Sequence, residues 1–300
     1  MRNYMVFDIG KTSVKCSVIT ESGEILTNHR INIAKNLEGF FNGLVKVSSD
    51  NKKLYSLSGI AISAPGAVDS DTGIIGGSSL LPYIHGPNFK KVLFERTGLN
   101  IEIENNVNCA GLGESWLGAA IEERDSAFIL CGSSIGGSIV KNNKIHKGIH
   151  KNSGEFGYCI VDYNDDKDEK FVSWSRAAST TALARNIAIK KGVSLDEIDG
   201  FKSFDLYEKN DPIAIQEVDR YFTYMAIGIF NIQYTYDPEV IILGGRICVR
   251  ENYITNINKK LDEIMNSGTE GKIKPIIRKS KFGYDANKIG ALYNFIIRNN

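Results

Sequence analysis

Several short stretches of this 300-residue chain end an apolar run in residues able to hold a polar ligand. Residues 101–106, I-E-I-E-N-N, read as a buried strand (Ile101, Ile103) delivering two side-chain amides, Asn105 and Asn106, to a small-residue helix that starts at Val107. A strand end feeding a helix start commonly holds a polar ligand in an α/β protein. The residue at 106 decides whether such a site does chemistry: a carboxamide hydrogen-bonds a hydroxyl but takes no proton from it. Asp8-Ile9-Gly10-Lys11-Thr12 sets an acid, a glycine and a hydroxyl at one turn, and Gly132-Ser133-Ser134-Ile135-Gly136-Gly137 repeats the glycine/hydroxyl pattern. Ser63 to Asp69, S-A-P-G-A-V-D, turns tightly at Pro65-Gly66. Glu155 stands between two glycines, and Gly244-Gly245 follow the apolar run Val240–Leu243.

The elements that must position these residues follow from periodicity. Tyr4–Phe7 is a strand, a second alternates at Val14, Cys16 and Val18, and Ile25-Leu26-Thr27 starts a third. Residues 37–50 form an amphipathic helix with Leu37, Phe40, Phe41, Leu44 and Val47 on one face. Leu57–Ile62 is a buried strand, and residues 73–79 form a small-residue loop leading to His85. Asn88 caps a helix over 89–97 that Gly98 closes. Ala127–Leu130 and Ser138–Val140 are strands, with a turn at Asn142-Asn143. Helices are expected over 175–191, from Asp196, over 212–236 behind the Asp211-Pro212 start, over 252–265 and over 286–298, with a strand near 275–277. The chain thus builds strand, glycine/hydroxyl turn and strand twice. Two duplicated α/β halves with a ligand cleft between them is the expectation.

Bulk properties narrow the function. The formal net charge is +1, so no global field draws the protein to nucleic acid or membrane. No apolar run approaches ~18 residues, and the N-terminus enters a strand at once, so the expected location is cytoplasmic. Cysteines 16, 109, 131, 159 and 248 are dispersed, which disfavours disulfides and a structural zinc. His146 and His150 have helical metal spacing, but Gly148 between them argues for a loop with no metal role. Trp116 and Trp174 read as core.

Taken together and in order, D-I-G-K-T (8–12), S-A-P-G-A-V-D (63–69), E-N-N-V-N-C-A (104–110), G-S-S-I-G-G (132–137), G-E-F-G-Y (154–158) and L-G-G (243–245) resemble the ROK family of sugar kinases and repressors. The resemblance covers essentially the whole chain. It implies the sugar-kinase/actin-like (ribonuclease H-like) fold, with a smaller domain of residues 1–116 plus the C-terminal helix 286–300 and a larger domain of 117–285. Within the family, residues 76–88, 174–180, 231–234 and 285–292 are most similar to the bacterial β-glucoside kinases. Those enzymes phosphorylate the 6-hydroxyl of the non-reducing glucose of cellobiose-type sugars.

Carried over residue by residue, the resemblance implies ATP and Mg2+ as cofactors and a sugar as acceptor. Asp8, Gly10, Lys11, Thr12, Gly132, Ser133 and Ser134 would meet the phosphates, Asp8 would help hold Mg2+, and Gly244 and Gly245 would pack on the adenosine. Gly66, Asp69, Ser79, His85, Asn105, Asn106, Glu155 and Tyr158 would line the sugar pocket, with Glu155 at the anomeric end. Tyr158 replaces a zinc-ligating histidine found in many members, so no zinc site is expected. Relatives commonly dimerise.

Three positions depart from the pattern. The family places its catalytic aspartate where Asn106 stands, a second glycine where Lys11 stands, and threonine-glycine where Ser133-Ser134 stand. Ser134 would be strained if its position needs φ > 0. The sequence therefore supports a carbohydrate kinase with activity weakened or lost at Asn106, or alternatively a sugar-binding pseudokinase that acts as a sensor. A DNA-binding repressor would need a winged helix of ~80 residues ahead of Asp8, and the neutral charge also argues against DNA.

Overall fold

The computed structural model describes residues 1–77, 79, 81–165 and 170–299. Ser78 of the 73–79 loop, Leu80, residues 166–169 of the charged 162–170 loop, and Asn300 lie outside the described residues. The chain opens with β1 (Asn3–Ile9), β2 (Ser13–Thr20), β3 (His29–Asn32), α1 (Leu37–Tyr55), β4 (Leu57–Ala64), β5 (Ala67–Asp69) and β6 (Ile74–Gly76). Next come α2 (Phe89–Thr97), β7 (Ile101–Asn105), α3 (Asn106–Leu117), β8 (Ser126–Cys131), β9 (Ile135–Lys141) and β10 (Lys144–Ile145). A hairpin, β11 (Ile160–Tyr163) and β12 (Phe171–Ser173), leads to α4 (Trp174–Ala178), α5 (Thr180–Lys191), α6 (Gly200–Glu208) and α7 (Pro212–Tyr236). β13 (Val240–Gly244), α8 (Tyr253–Asn266), β14 (Ile277–Lys279) and α9 (Ala286–Asn299) complete it.

The chain divides into two compact units. The first holds Met1–Glu122, Asn143–Ser153 and Tyr284–Asn300, and the second Glu123–Asn142 and Gly154–Gly283. The first boundary thus falls after 122, and residues 143–153 join the first unit although the sequence pattern put them with the second half.

In the first unit the sheet order is β3-β2-β1-β4-β7. β1 and β2 form an antiparallel hairpin, while β4 and β7 add in parallel after the α1 and α2 crossovers. β4 reads L-S-G-I-A-I-S-A and is buried at all but Ser58, as expected of a strand covered on both faces. Its core joins Met5, Phe7, Val14, Phe41, Leu44, Ile60, Ile62, Phe89 and Ile103. The second unit repeats the plan. β8 and β9 form the antiparallel hairpin, β13 pairs parallel with β8, and β14 pairs parallel with β13. Helices α5 and α7 cover the sheet through Ile187, Val218, Met225 and Ile229.

Helix α3 is fixed by its crossing with α9. A Cβ at Gly290 would lie 1.6 Å from the Cys109 carbonyl oxygen, so the two backbones touch at a point that only glycine allows. Trp116, also on α3, stacks on Tyr293 of α9 at 5.0 Å. Trp174 is core, 1% exposed.

Some elements differ from the sequence expectation. Ile25 makes only an isolated bridge to Ile19, and the third strand is instead His29–Asn32, an exposed edge without apolar alternation. The helix from 175 to 191 is broken at Ser179, whose extended backbone (φ −78°, ψ 158°) and side chain cap α5 at the Ala182 N–H. The helix expected from Asp196 starts at Gly200, because Asp199 accepts from Lys202 N and caps it there. Helix α1 runs on to Tyr55, five residues past the expected end.

Candidate functional site

In the first unit the candidate residues gather around the C-terminal ends of β1, β4 and β7, the usual ligand edge of a parallel sheet. The β7–α3 junction is built by Asn105. Its Oδ1 accepts from the N–H groups of Val107 (2.8 Å) and Asn108 (3.2 Å), two donors that the helix leaves open. Its Nδ2 donates to the Gly66 carbonyl at 2.9 Å, tying the Pro65-Gly66 turn to the helix start. Asn105, rather than Asn106, is thus the cap. One N–H of its amide remains for a ligand. Asn106 is the first helical residue and half-buried; its Oδ1 also accepts from Val107 N at 2.9 Å. Its Nδ2 has no partner among the described residues, so Asn106 presents a donor and no base.

Beneath the junction lies Glu104, 2% exposed. Its carboxylate accepts from Asn105 N (2.8 Å), Asn108 Nδ2 (3.0 Å), Ser70 Oγ (2.8 Å) and Lys147 Nζ (2.6 Å). Such an ion pair stays buried only when every oxygen is bonded. Lys147 comes from the 143–153 segment, which also brings Lys151 to Asp69 at 2.5 Å. Asp69 Oδ1 accepts from Asp71 N (3.0 Å) and Thr72 N (3.3 Å). The hydrogen bond from Lys151, with these backbone bonds, pulls the Asp69 pKa down to about 2. His85 Nδ1 faces the Gly77 carbonyl at 3.0 Å and so carries the proton, leaving Nε2 to accept from Ser79 Oγ at 2.7 Å. Asp69, Ser79 and His85 therefore hold the loops of this edge to one another. Sequence reasoning missed Glu104 and Lys147; the only signal was an acid inside an apolar strand.

The first hairpin turn closes through Gly10 N to Ser13 O at 3.0 Å. Lys11 and Thr12 are exposed, and Lys11 takes an ordinary negative φ. Asp8 is buried and well bonded: Oδ2 accepts from Lys15 Nζ (2.8 Å), and Oδ1 from Ser63 Oγ (2.9 Å) and Asn287 Nδ2 (3.1 Å). One lone-pair direction on Oδ2 remains for a cation. Among the described residues no group of three His, Cys, Asp or Glu side chains could cage a metal. A single carboxylate does fit Mg2+, which keeps several waters and takes its other ligands from phosphates.

In the second unit the turn after β8 closes from Gly132 N to Ser134 O at 3.1 Å, and Gly132 O accepts from Thr180 N and Oγ1, both at 2.9 Å. Both serine hydroxyls are exposed. Ser134 does not adopt a positive φ, so the expected strain is absent. Gly154 and Gly157 wedge the G-E-F-G turn against β9, where Cβ atoms would come within 2.7 Å of Ser138 Cα and 2.1 Å of Ile135 O. Glu155 between them has no bonded partner for its carboxylate among the described residues. Partial loss of hydration raises its pKa. Tyr158 is 80% exposed. Gly244 and Gly245 are required by the fold itself: Cβ atoms there would lie 2.3 Å from the Phe128 ring and 2.1 Å from Cys131 O, and Gly245 also takes a φ of +110°.

Two α/β units, each opening with a glycine/hydroxyl hairpin turn and extended by parallel strands, define the actin-like ATPase fold of sugar kinases. The chain belongs to the ROK family, whose match spans residues 4–296. A beta-glucoside kinase of Listeria innocua serovar 6a is 31% identical, covering 98% of this chain and 97% of its own. A ROK family protein of Streptococcus pneumoniae TIGR4, solved in complex with sucrose, is similar at TM-score 0.89 and 33% identity over 99% of both chains. A ROK family glucokinase of Streptomyces griseus, solved with glucose and AMPPNP, shares the fold at TM-score 0.74 and 23% identity, over 97% of this chain and 98% of its own.

Proposed function

We propose that the protein is an ATP-dependent carbohydrate kinase that acts on the 6-hydroxyl of glucose or a cellobiose-type β-glucoside, with its phosphoryl-transfer step strongly slowed. The observation that carries this reading is the β7–α3 junction, where Asn105 caps the helix and Asn106 offers an amide donor. Transfer of a phosphoryl group is mostly positioning and charge stabilisation, with a base to take the acceptor proton. Asn106 can hold the acceptor hydroxyl and cannot deprotonate it. Loss of a general base costs about 10²–10⁴-fold in rate. The beta-glucoside kinase relatives and the sucrose-bound neighbour support a glucoside as ligand.

ATP, when bound with Mg2+, would supply the phosphoryl group and the metal would neutralise charge developing on it. Asp8 would hold the metal, and the exposed Thr12 and Ser133 hydroxyls would meet phosphate oxygens. Lys11 would direct its ammonium to the same place, a cation in the position where the family has a bare backbone. Glu155, unpaired and partly desolvated, would accept hydrogen bonds from sugar hydroxyls.

A second reading, a sugar-binding pseudokinase that acts as a sensor, is favoured by the combination of Asn106, Lys11 and Ser134 at three off-pattern positions. Calorimetry with cellobiose and glucose, run beside a coupled ADP-release assay on the unmodified protein, separates the two. Sugar binding with slow ADP release supports the kinase, sugar binding with none supports the sensor, and absence of sugar binding refutes both.

A further inference from the structure

The second unit contains a cavity that shares no residue with the candidate site. It has a volume of about 270 Å3 and lies among β12, α4, α5 and α7. Its cationic lining is Arg176, Arg185, Lys190 and Arg220, against one acid, Glu217. The sequence explains the imbalance: from Phe171 to Leu195 the chain has no Asp or Glu, so α4 and α5 bring bases only. Glu217, 2% exposed, is met by Lys190 at 2.6 Å. Lys190 also donates to Gln216 Oε1 at 2.9 Å. Arg220 donates to Tyr224 Oη at 3.2 Å and lies over its ring, and that hydroxyl in turn donates to Asp162. Asp211, at the start of α7, is taken by Lys191. The half-buried guanidinium of Arg185 and the amide of its neighbour Asn186 have no side-chain partner among the described residues.

A half-buried guanidinium without a side-chain acceptor has donors to offer, and an anion is the partner that best satisfies them. Arginine forks match the oxygens of a phosphate. Val172, Ala177 and Ile189 add apolar lining. The volume is just below the 300–1,000 Å3 of ordinary small-ligand pockets, so a group of hexose size fits beside the charge. We propose that this cavity is an anion-binding site that takes the phosphate monoester of a small molecule, with Arg185 as its principal ligand and Asn186 and Arg220 assisting.

The test is calorimetry on the full chain with inorganic phosphate, with glucose 6-phosphate and with glucose, alongside hydrogen exchange of peptides spanning 174–191 and 212–224. The proposal predicts that glucose 6-phosphate binds, slows exchange in those peptides and does so more tightly than inorganic phosphate. Arg185→Gln is expected to weaken binding at least about tenfold, the loss typical of a charged hydrogen bond. Arg185→Lys should recover part of it, and both variants should unfold at the wild-type temperature without ligand. Equal affinity for inorganic phosphate would overturn the ester assignment. Binding that leaves exchange in 174–191 unchanged, or that survives Arg185→Gln intact, would overturn the site.

Discussion

Replacing Asn105 by Ala removes three hydrogen bonds at once, two at the helix cap and one to the Gly66 turn, and the structure sets the size of the effect. The Oδ1 cap on Val107 and Asn108 is worth about 1 kcal/mol, with a range of roughly 0.5–2. Loss of the Nδ2 donor leaves the Gly66 carbonyl unpaired in a partly buried turn, about 1 kcal/mol or more. The sum is about 2–3 kcal/mol, roughly a 30- to 150-fold change in the local opening equilibrium. Asn105→Asp keeps the cap and adds a charge that a helix N-terminus favours, but it loses the donor and sits beside Glu104. It should therefore cost about half as much. Because a chain of two units need not unfold in one step, urea denaturation should be paired with native-state hydrogen exchange read on peptides spanning α3. An Ala variant within about 0.5 kcal/mol of wild type, or an Asp variant as damaged as Ala, would refute the capping account.

Lys147→Met should destabilise the first unit by about 3 kcal/mol, since it leaves the 2%-exposed Glu104 carboxylate without its cation; Glu104→Gln in the same chain should restore most of the loss in a thermal melt. Carbon-detected titration should place the Asp69 carboxyl near pH 2, and Lys151→Ala should move it up toward the ordinary value of about 3.9. The folded pKa is the lower one, so the stabilisation from this pair is complete above about pH 4 and fades as the pH falls toward 2. A stability gap between wild type and Lys151→Ala that persists unchanged at pH 2 would contradict this.

Much of the fold was legible because most site-bearing strands carry an apolar run that stops at a polar or glycine turn. β1, β4, β8 and β13 were recognisable that way, β7 by Ile101 and Ile103 ahead of Asn105-Asn106, and so were the Asn88 and Asp211 caps, which the structure shows accepting from Lys91 N and from Ile213 and Ala214 N. β3 was not, because His29–Asn32 is an exposed edge with no burial to impose alternation. The break at Ser179 was hidden because Trp174–Lys191 is apolar at helical spacing throughout, and only the backbone shows where one helix stops. At the candidate site, residue types marked the right turns, but two adjacent asparagines gave no way to say which one caps. The partners that fix the site are distant in sequence: Lys151 reaches Asp69 across 82 residues, and Lys147 reaches Ser70 across 77. Side-chain pairing over such separations leaves no local pattern to read.

The central claim is that a carboxamide at 106 withholds the base from the proposed kinase site. Its most direct test compares ATP-dependent ADP release, with cellobiose and with glucose, for the wild-type protein and Asn106→Asp. The account predicts that the Asp variant turns over about 10²–10⁴-fold faster, with sugar affinity by calorimetry little changed. Wild-type turnover within tenfold of the Asp variant, in a protein that binds the sugar, would contradict it.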